Sequence, residues 1–265
     1  MPRTLSLIVL ILLVSRTASG HEFWIEPHAY TVASGDILRI GLFHGERFLG
    51  DAVPRDEAMI DSFTLLGPDG EQTVAGRAGA TTSFAKPAVD GVHVIAYRTR
   101  RYANDLDAAD FEAYLREEGL HWIAKRRAEL GETTAPGSEV YSRCAKSIVR
   151  VGDVDTPAVD HVFDWPLEIV LDDPPYDVAP GSSLSARVLS GGEPLAGARV
   201  VAVSRIQPDR LVELTSDDEG RVSFEADDAG AWMLTTIHMV RTDDEADADW
   251  ESFWASVTFE VTHTE

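Results

Sequence analysis

Short apolar runs that alternate with polar residues, each ended by a Gly, Pro or Asp turn, recur through most of this chain and restrict it to antiparallel β architecture. The pattern also repeats. "YTVASGDILRI" from Tyr30 resembles "YDVAPGSSLSARV" from Tyr176, each with a tyrosine, a Val-Ala pair and a glycine that turns into an alternating strand. Later, "LLGPDGEQTV" is echoed by "LTSDDEGRVSF", and "GVHVIAYR" by "GAWMLTTIH". The echoes keep their order, so the sequence predicts two related β-modules with Pro174-Pro175 near their junction. The expected fold is mainly β: two immunoglobulin-like or prealbumin-like antiparallel sandwiches, residues 21–170 and 171–265, with "DADWESFWASVTFEV" closing the second sheet.

One stretch breaks the alternation. "LDAADFEAYLREEGLHWIAKRRAELGE" places Phe111, Leu115 and Ile123 at helical spacing, which predicts a helical insert over about 107–130. Gly119 divides it into two helices, with acids crowding the first and "KRR" late in the second, as helix dipoles favour. Its apolar face is expected to pack on the first sandwich or in the cleft between modules.

The first twenty residues have the form of a secretory signal. Arg3 supplies the positive start, Leu5 to Val14 is apolar apart from Ser6, and Ala18-Ser19-Gly20 offers small residues for cleavage after Gly20. The apolar run is too short to cross a bilayer, which takes about 20 residues. The expected product is periplasmic or otherwise secreted. A formal charge of −22 argues against nucleic acid or anionic lipid as partner and suits an exported chain. Cys144 is the single cysteine, so no intramolecular disulfide forms and cysteine-based metal clusters are excluded.

Eight histidines are spread along the chain with no HxH, HxxxH or HExxH spacing. A metal site would have to be assembled from distant segments. His21 is the exceptional one, because cleavage after Gly20 would give it two donors, its α-amine and Nδ1. With one further imidazole these form a three-nitrogen site suited to copper and tolerable for nickel or cobalt. The α-amine loses its proton near pH 8, so metal binding there costs little deprotonation. The following "EFWIEP" alternates, Phe23 and Ile25 one way and Trp24 and Glu26 the other, which would pin the terminus. His238, at the end of "WMLTTIH" on the face of Trp232, Leu234 and Thr236, is the expected second ligand, while Met239 points oppositely. His93, in the matching strand of the first module, is a third candidate; His28 and His44 are expected in loops and His121 on a helix.

Other chemistry finds no motif. GxSxG, P-loop and GxGxxG arrangements are absent, and no two carboxylates stand out as a glycosidase pair. "TDDEADADWE" lacks the glycine and terminal glutamate of a calcium loop and reads as a solvated loop.

At "HEFWIEP", "EAYLREEGL", "YSRCAK", "HMV" and "DWESFWASVTFE", the chain resembles a bacterial exported family described as the periplasmic component of cobalt/nickel ABC-type transport, or as nickel-uptake substrate-specific proteins. The second module alone resembles carboxypeptidase-regulatory and collagen-binding B-type sandwiches. The family resemblance implies a periplasmic metal-handling role, with a transition metal ion (nickel, cobalt or copper) as cofactor and a metal-transport permease as partner. Carried over by residue, it supports His21 and, less directly, His238 as metal ligands. No permease-like membrane helix is present after the leader. Some relatives place histidine second after a mature methionine, so nickel and copper both stay open. The leading expectation is thus a non-enzymatic, exported metal-binding protein. Its alternatives are a metal-free β-sandwich adhesion or scaffold protein, and a copper oxidase using the His21 nitrogens.

Overall fold

The structure is a computed structural model that describes residues 22–154, 159–179, 181–242 and 248–263. Among these, the first half of the chain forms β1 (Glu22–Pro27), β2 (Thr31–Val32), β3 (Leu38–Glu46), β4 (Leu49–Ala52), β5 (Ile60–Gly67), β6 (Gly70–Thr73), β7 (Ala75–Gly76), β8 (Thr82–Ala85), β9 (Gly91–Thr99) and β10 (Tyr102–Leu106). Helices α1 (Ala108–Glu117) and α2 (His121–Leu130) follow, then the long strand β11 (Gly137–Val151). The remainder supplies β12 (Glu168–Leu171), β13 (Ser183–Ser190), β14 (Glu193–Pro194), β15 (Arg199–Ser204), β16 (Leu211–Thr215), β17 (Arg221–Glu225), β18 (Gly230–Arg241) and β19 (Trp250–Val261). The architecture is mainly β, two sandwiches with a helical insert.

The two sandwiches share their middle layer. A ten-stranded sheet runs β16-β15-β18-β19-β11-β9-β5-β6, with β2 and β10 added along β11. Its seam is a parallel pairing of β11 with β19, from Glu139↔Trp250 to Ser147↔Thr258. Far from closing the second sheet at an edge, β19 lies inside it, hydrogen-bonded on both sides.

Alternation along the seam strands sends successive side chains to opposite faces. Ala145, Val149 and Val151 of β11 enter a core with Phe23, Ile25, Leu38 and Ile40 of the five-stranded sheet β1-β3-β8-β7 plus β4. Cys144 and Ile148 enter the other core, with Ile169, Leu184 and Val188 of the four-stranded sheet built on β12, β13, β14 and β17. The smaller sheets therefore cover opposite faces of the shared one. A parallel seam with covers on opposite faces is what a two-fold rotation about an axis along the strands would produce. It relates β11-β9-β5 to β19-β18-β15.

The echoes sort accordingly. β9 and β18 hold matching places beside the seam. "LLGPDGEQT" is the β5–β6 hairpin, closed at Gly67↔Gly70, whereas "LTSDDEGRVSF" crosses from β16 in the shared sheet to β17 in the four-stranded one. A boundary at 170/171 falls within β12.

The helical insert packs on the shared sheet beside the seam, against β18 and β19 of the second module and against β11, where the Tyr114 hydroxyl donates to Glu139 at 3.3 Å, so of the two expected places it takes the one between the modules. Phe111, Tyr114, Leu115, Leu120 and Ile123 form a core with Ile237 and Met239 of β18 and Trp250 of β19. β15 pairs with β18 only as far as Thr236, and the helices lie over the part of β18 beyond it. No helix among the described residues is long and apolar enough to cross a membrane.

Candidate functional site

Glu22 opens β1 and accepts the backbone N–H of Arg47 at 2.6 Å. Arg47 sits in the β3–β4 hairpin, where it and Phe48 both adopt left-handed backbone, φ 53° and 64°. Such a conformation costs a non-glycine residue about 1–3 kcal/mol, so packing must hold it. Phe48 supplies that packing: its ring is buried edge-on to Trp24 at 5.9 Å, and the Arg205 guanidinium lies over it at 5.6 Å. Arg205 also pairs with Glu26. The hydroxyls of Ser256 and Thr258 on β19 donate to the carbonyls of Phe23 and Ile25, both at 2.7 Å, fastening β1 to the shared sheet.

Beside β1, on the same face of that sheet, helix α1 ends. Gly119 adopts φ 73°, and Leu120 N–H returns to Leu115 O at 2.8 Å, a C-terminal turn that positions Glu117 and Glu118 at the helix end.

Between β1, this helix end and the shared sheet lies a cavity of about 380 Å³. Phe23, Val201, Ile237 and Trp254 give it apolar walls, and Glu22, Glu46, Glu117 and Glu118 give it carboxylates. Arg47 and Arg199 also line it, each already paired with an acid. Arg199 holds Glu213 at 3.0 Å and Arg47 reaches Asp209 at 3.5 Å. Neither Glu117 nor Glu118 has an ion pair within 4.0 Å among the described residues. Burial, opposed by Arg199 and reinforced by Glu22, Glu117 and Glu46, pushes the Glu118 carboxyl up to about 8. Burial also raises Glu22, against the Arg47 N–H bond that favours its ionised form.

The sequence-predicted ligands do not converge here. His21 lies outside the described residues. His238 sits in β18 opposite Phe253, half-buried, its ring stacked on Trp122 of α2 at 5.9 Å. Strand alternation puts it on the side of Trp232 and Leu234, but its ring lies against Trp122, and it does not line the cavity, which takes Thr235, Thr236 and Ile237 from β18. Met239 points oppositely to His238, into the helix-covered core. Burial lowers the His238 pKa, favouring neutral imidazole.

His93 is fully buried in β9, with Nδ1 3.3 Å from Gly91 O, Nε2 unpartnered and the ring packed on Gly67. Its register row crosses β11 at Val149, while that of His238 crosses at Ser142. Seven residues of strand separate them by about 23 Å along the strand direction alone. His44 lies within β3 rather than in a loop, and His121 begins α2. Cys144 is buried, its thiol pushed up to about 12. Among the described residues no group of three His, Cys, Asp or Glu side chains is placed to hold a metal ion. Residues 243–247 of the acidic "TDDEADADWE" run also lie outside the described residues.

The cavity carboxylates were not singled out by spacing, since they come from β1, the β3–β4 hairpin and a helix end. One local signal exists. Two glutamates directly before Gly119 sit at the negative end of a helix dipole, where basic residues are favoured.

Residues 18–240 match the family described as "Domain of unknown function (DUF4198)". The chain belongs to this family. No curated protein matches it. Among solved structures it is similar to the "D0-D1 domain of Intimin", at 13% identity over 90% of this chain and 97% of that one, TM-score 0.23. A "Biofilm associated protein - BSP domain" shares 9% identity over 90% of this chain and 30% of that one, TM-score 0.21. Trypsin-activated alpha-2-macroglobulin from Escherichia coli shares 10% identity over 92% of this chain and 16% of that one, TM-score 0.22.

Proposed function

We propose that the chain is an exported, non-enzymatic binding or scaffold protein of the β-sandwich class, whose fold requires no metal. The observation that carries this reading is the shared ten-stranded sheet, which joins both modules into one platform with a core on each face. The leader-like start, Leu5–Val14 followed by Ala18-Ser19-Gly20, supports export. Exhaustive chelation followed by thermal unfolding tests the metal-free part. The expected outcome is an unchanged midpoint on chelation and on adding back Ni²⁺, Co²⁺ or Cu²⁺. A native-state metal site would add about 2.7 kcal/mol at a hundredfold excess over Kd, and a midpoint rise of that size would overturn the reading.

A second reading is favoured by one feature. Glu22, the first described residue, lines a carboxylate-rich cavity, and in a chain cleaved after Gly20 it would directly follow the residue that carries the α-amine. This is the nickel, cobalt or copper carrier of the sequence analysis, without the expected partner His238. Calorimetric titration of the chain starting at His21, against one with an added alanine before it, checks it. Equal metal affinity in both forms excludes the amine as a ligand.

A further inference from the structure

We propose that the cavity between β1, the end of α1 and the shared sheet binds a small organic cation, an alkylammonium or alkylguanidinium group, by its charged head and apolar stem together. This rests on reading the chain as a binding protein and names the ligand chemistry of that recess.

Carboxylates alone would make a solvated face; here they rim a recess of about 380 Å³ floored by Phe23, Val201, Ile237 and Trp254. That volume lies within the range of small-molecule sites, which combine apolar walls with a few convergent polar groups. A bare metal ion would leave the apolar walls unused, and three metal-binding side chains do not come together among the described residues. An anion is disfavoured by charge, since four carboxylates line the recess against two arginines that are already paired with Asp209 and Glu213. What remains complementary is a cation carrying a hydrocarbon stem.

The helix end adds to this. Glu117 and Glu118 close α1 where its carbonyls leave negative partial charge, and no lysine or arginine pairs with either within 4.0 Å among the described residues. An incoming cation would supply the missing partner. It would also favour the ionised form of Glu118, so binding should release a proton and strengthen as pH rises toward about 8.

The test is calorimetric titration of the full exported chain with n-butylguanidinium chloride, which keeps its charge throughout the range used. One-to-one binding is expected, at least tenfold tighter at pH 8.5 than at 6.5, with butan-1-ol and sodium ion not competing. Glu118→Gln should weaken binding at least tenfold at pH 8.5 and abolish the pH dependence, while an unchanged circular dichroism spectrum shows that the variant folds. Ile237→Ala, which shortens the floor and leaves the charge, should lower affinity without altering the pH dependence. A Gly-Arg-Gly peptide distinguishes the source: binding as tight as the free guanidinium points to a partner's side chain, and exclusion of the peptide points to a small metabolite. Absence of binding, equal binding of butan-1-ol, or affinity indifferent to Glu118→Gln overturns the proposal. Such a failure leaves the scaffold reading standing, because that reading is decided by chelation and not by this titration.

Discussion

Lys146 and Glu168 meet inside the second core, Nζ to Oε2 at 2.9 Å, with both side chains buried. The carboxylate also accepts the backbone N–H groups of Phe163 and Trp165, at 3.1 and 3.4 Å. The pair thus ties β11 to β12 and to the segment before it. Removing one partner strands the other charge away from water, so Lys146→Met or Glu168→Gln should cost about 3–5 kcal/mol in urea unfolding. Replacing both by Met and Leu should recover only part of this, because the Phe163 and Trp165 N–H groups lose their acceptor. Glu118 behaves oppositely. The folded chain keeps its proton up to about pH 8, whereas the unfolded chain releases it near about 4.3. Between those values the native state binds more protons, so this residue lowers stability as pH rises. Glu118→Gln should melt above the parent at pH 8 and together with it at pH 4, as read by thermal midpoints across pH. None of these roles shows in local spacing. Lys146 interrupts an apolar strand and reads as an exposed position until β12 is seen to bring its partner.

Among the elements, the helical insert was legible and its docking was not. Phe111, Leu115 and Ile123 keep helical period, and Gly119 marks the break, as the sequence indicates. Which strands they cover is decided by side chains far apart in sequence, Ile237, Met239 and Trp250, and local spacing does not carry that. The contact is tight at one point. A Cβ added to Gly137 of β11 would stand 2.2 Å from Phe111 Cγ, beneath the Arg127 guanidinium that lies 4.7 Å from the Phe111 ring centre. Arg127 is itself buried and bonds Glu112 at 2.9 Å and the carbonyls of Glu132 and Ala135. Gly137→Ala should therefore displace α1 and cost about 1–3 kcal/mol by overpacking, measured in urea. Leu130→Ala on the exposed end of α2 is the control and should cost little.

For the whole molecule, strand content and the two-module repeat were readable because alternation and turn residues are local. The shared sheet was not, since a parallel seam leaves no turn between its strands and no change in their period. β11 carried one hint, a fifteen-residue strand buried on both faces over much of its length. The first core is built from residues of the first module alone, but Ala96, Cys144 and Ile148 of that module enter the second core, so the second module has no interior of its own. Differential scanning calorimetry should show one transition, with calorimetric and van't Hoff enthalpies in agreement. Two resolved transitions would mean that the modules melt apart despite the seam.

The seam joins residues 111 positions apart in sequence, as the Ser138–Asp249 bond beside it shows. Until β19 has been synthesised, β11 offers an open edge halfway through the growing polypeptide. Loop closure over that span is slow compared with hairpin formation, so the nascent product should stay unfinished for longer than a chain whose sandwiches close in turn. That delay comes from the order of the strands alone, and on the export proposed above it would keep the chain open for passage.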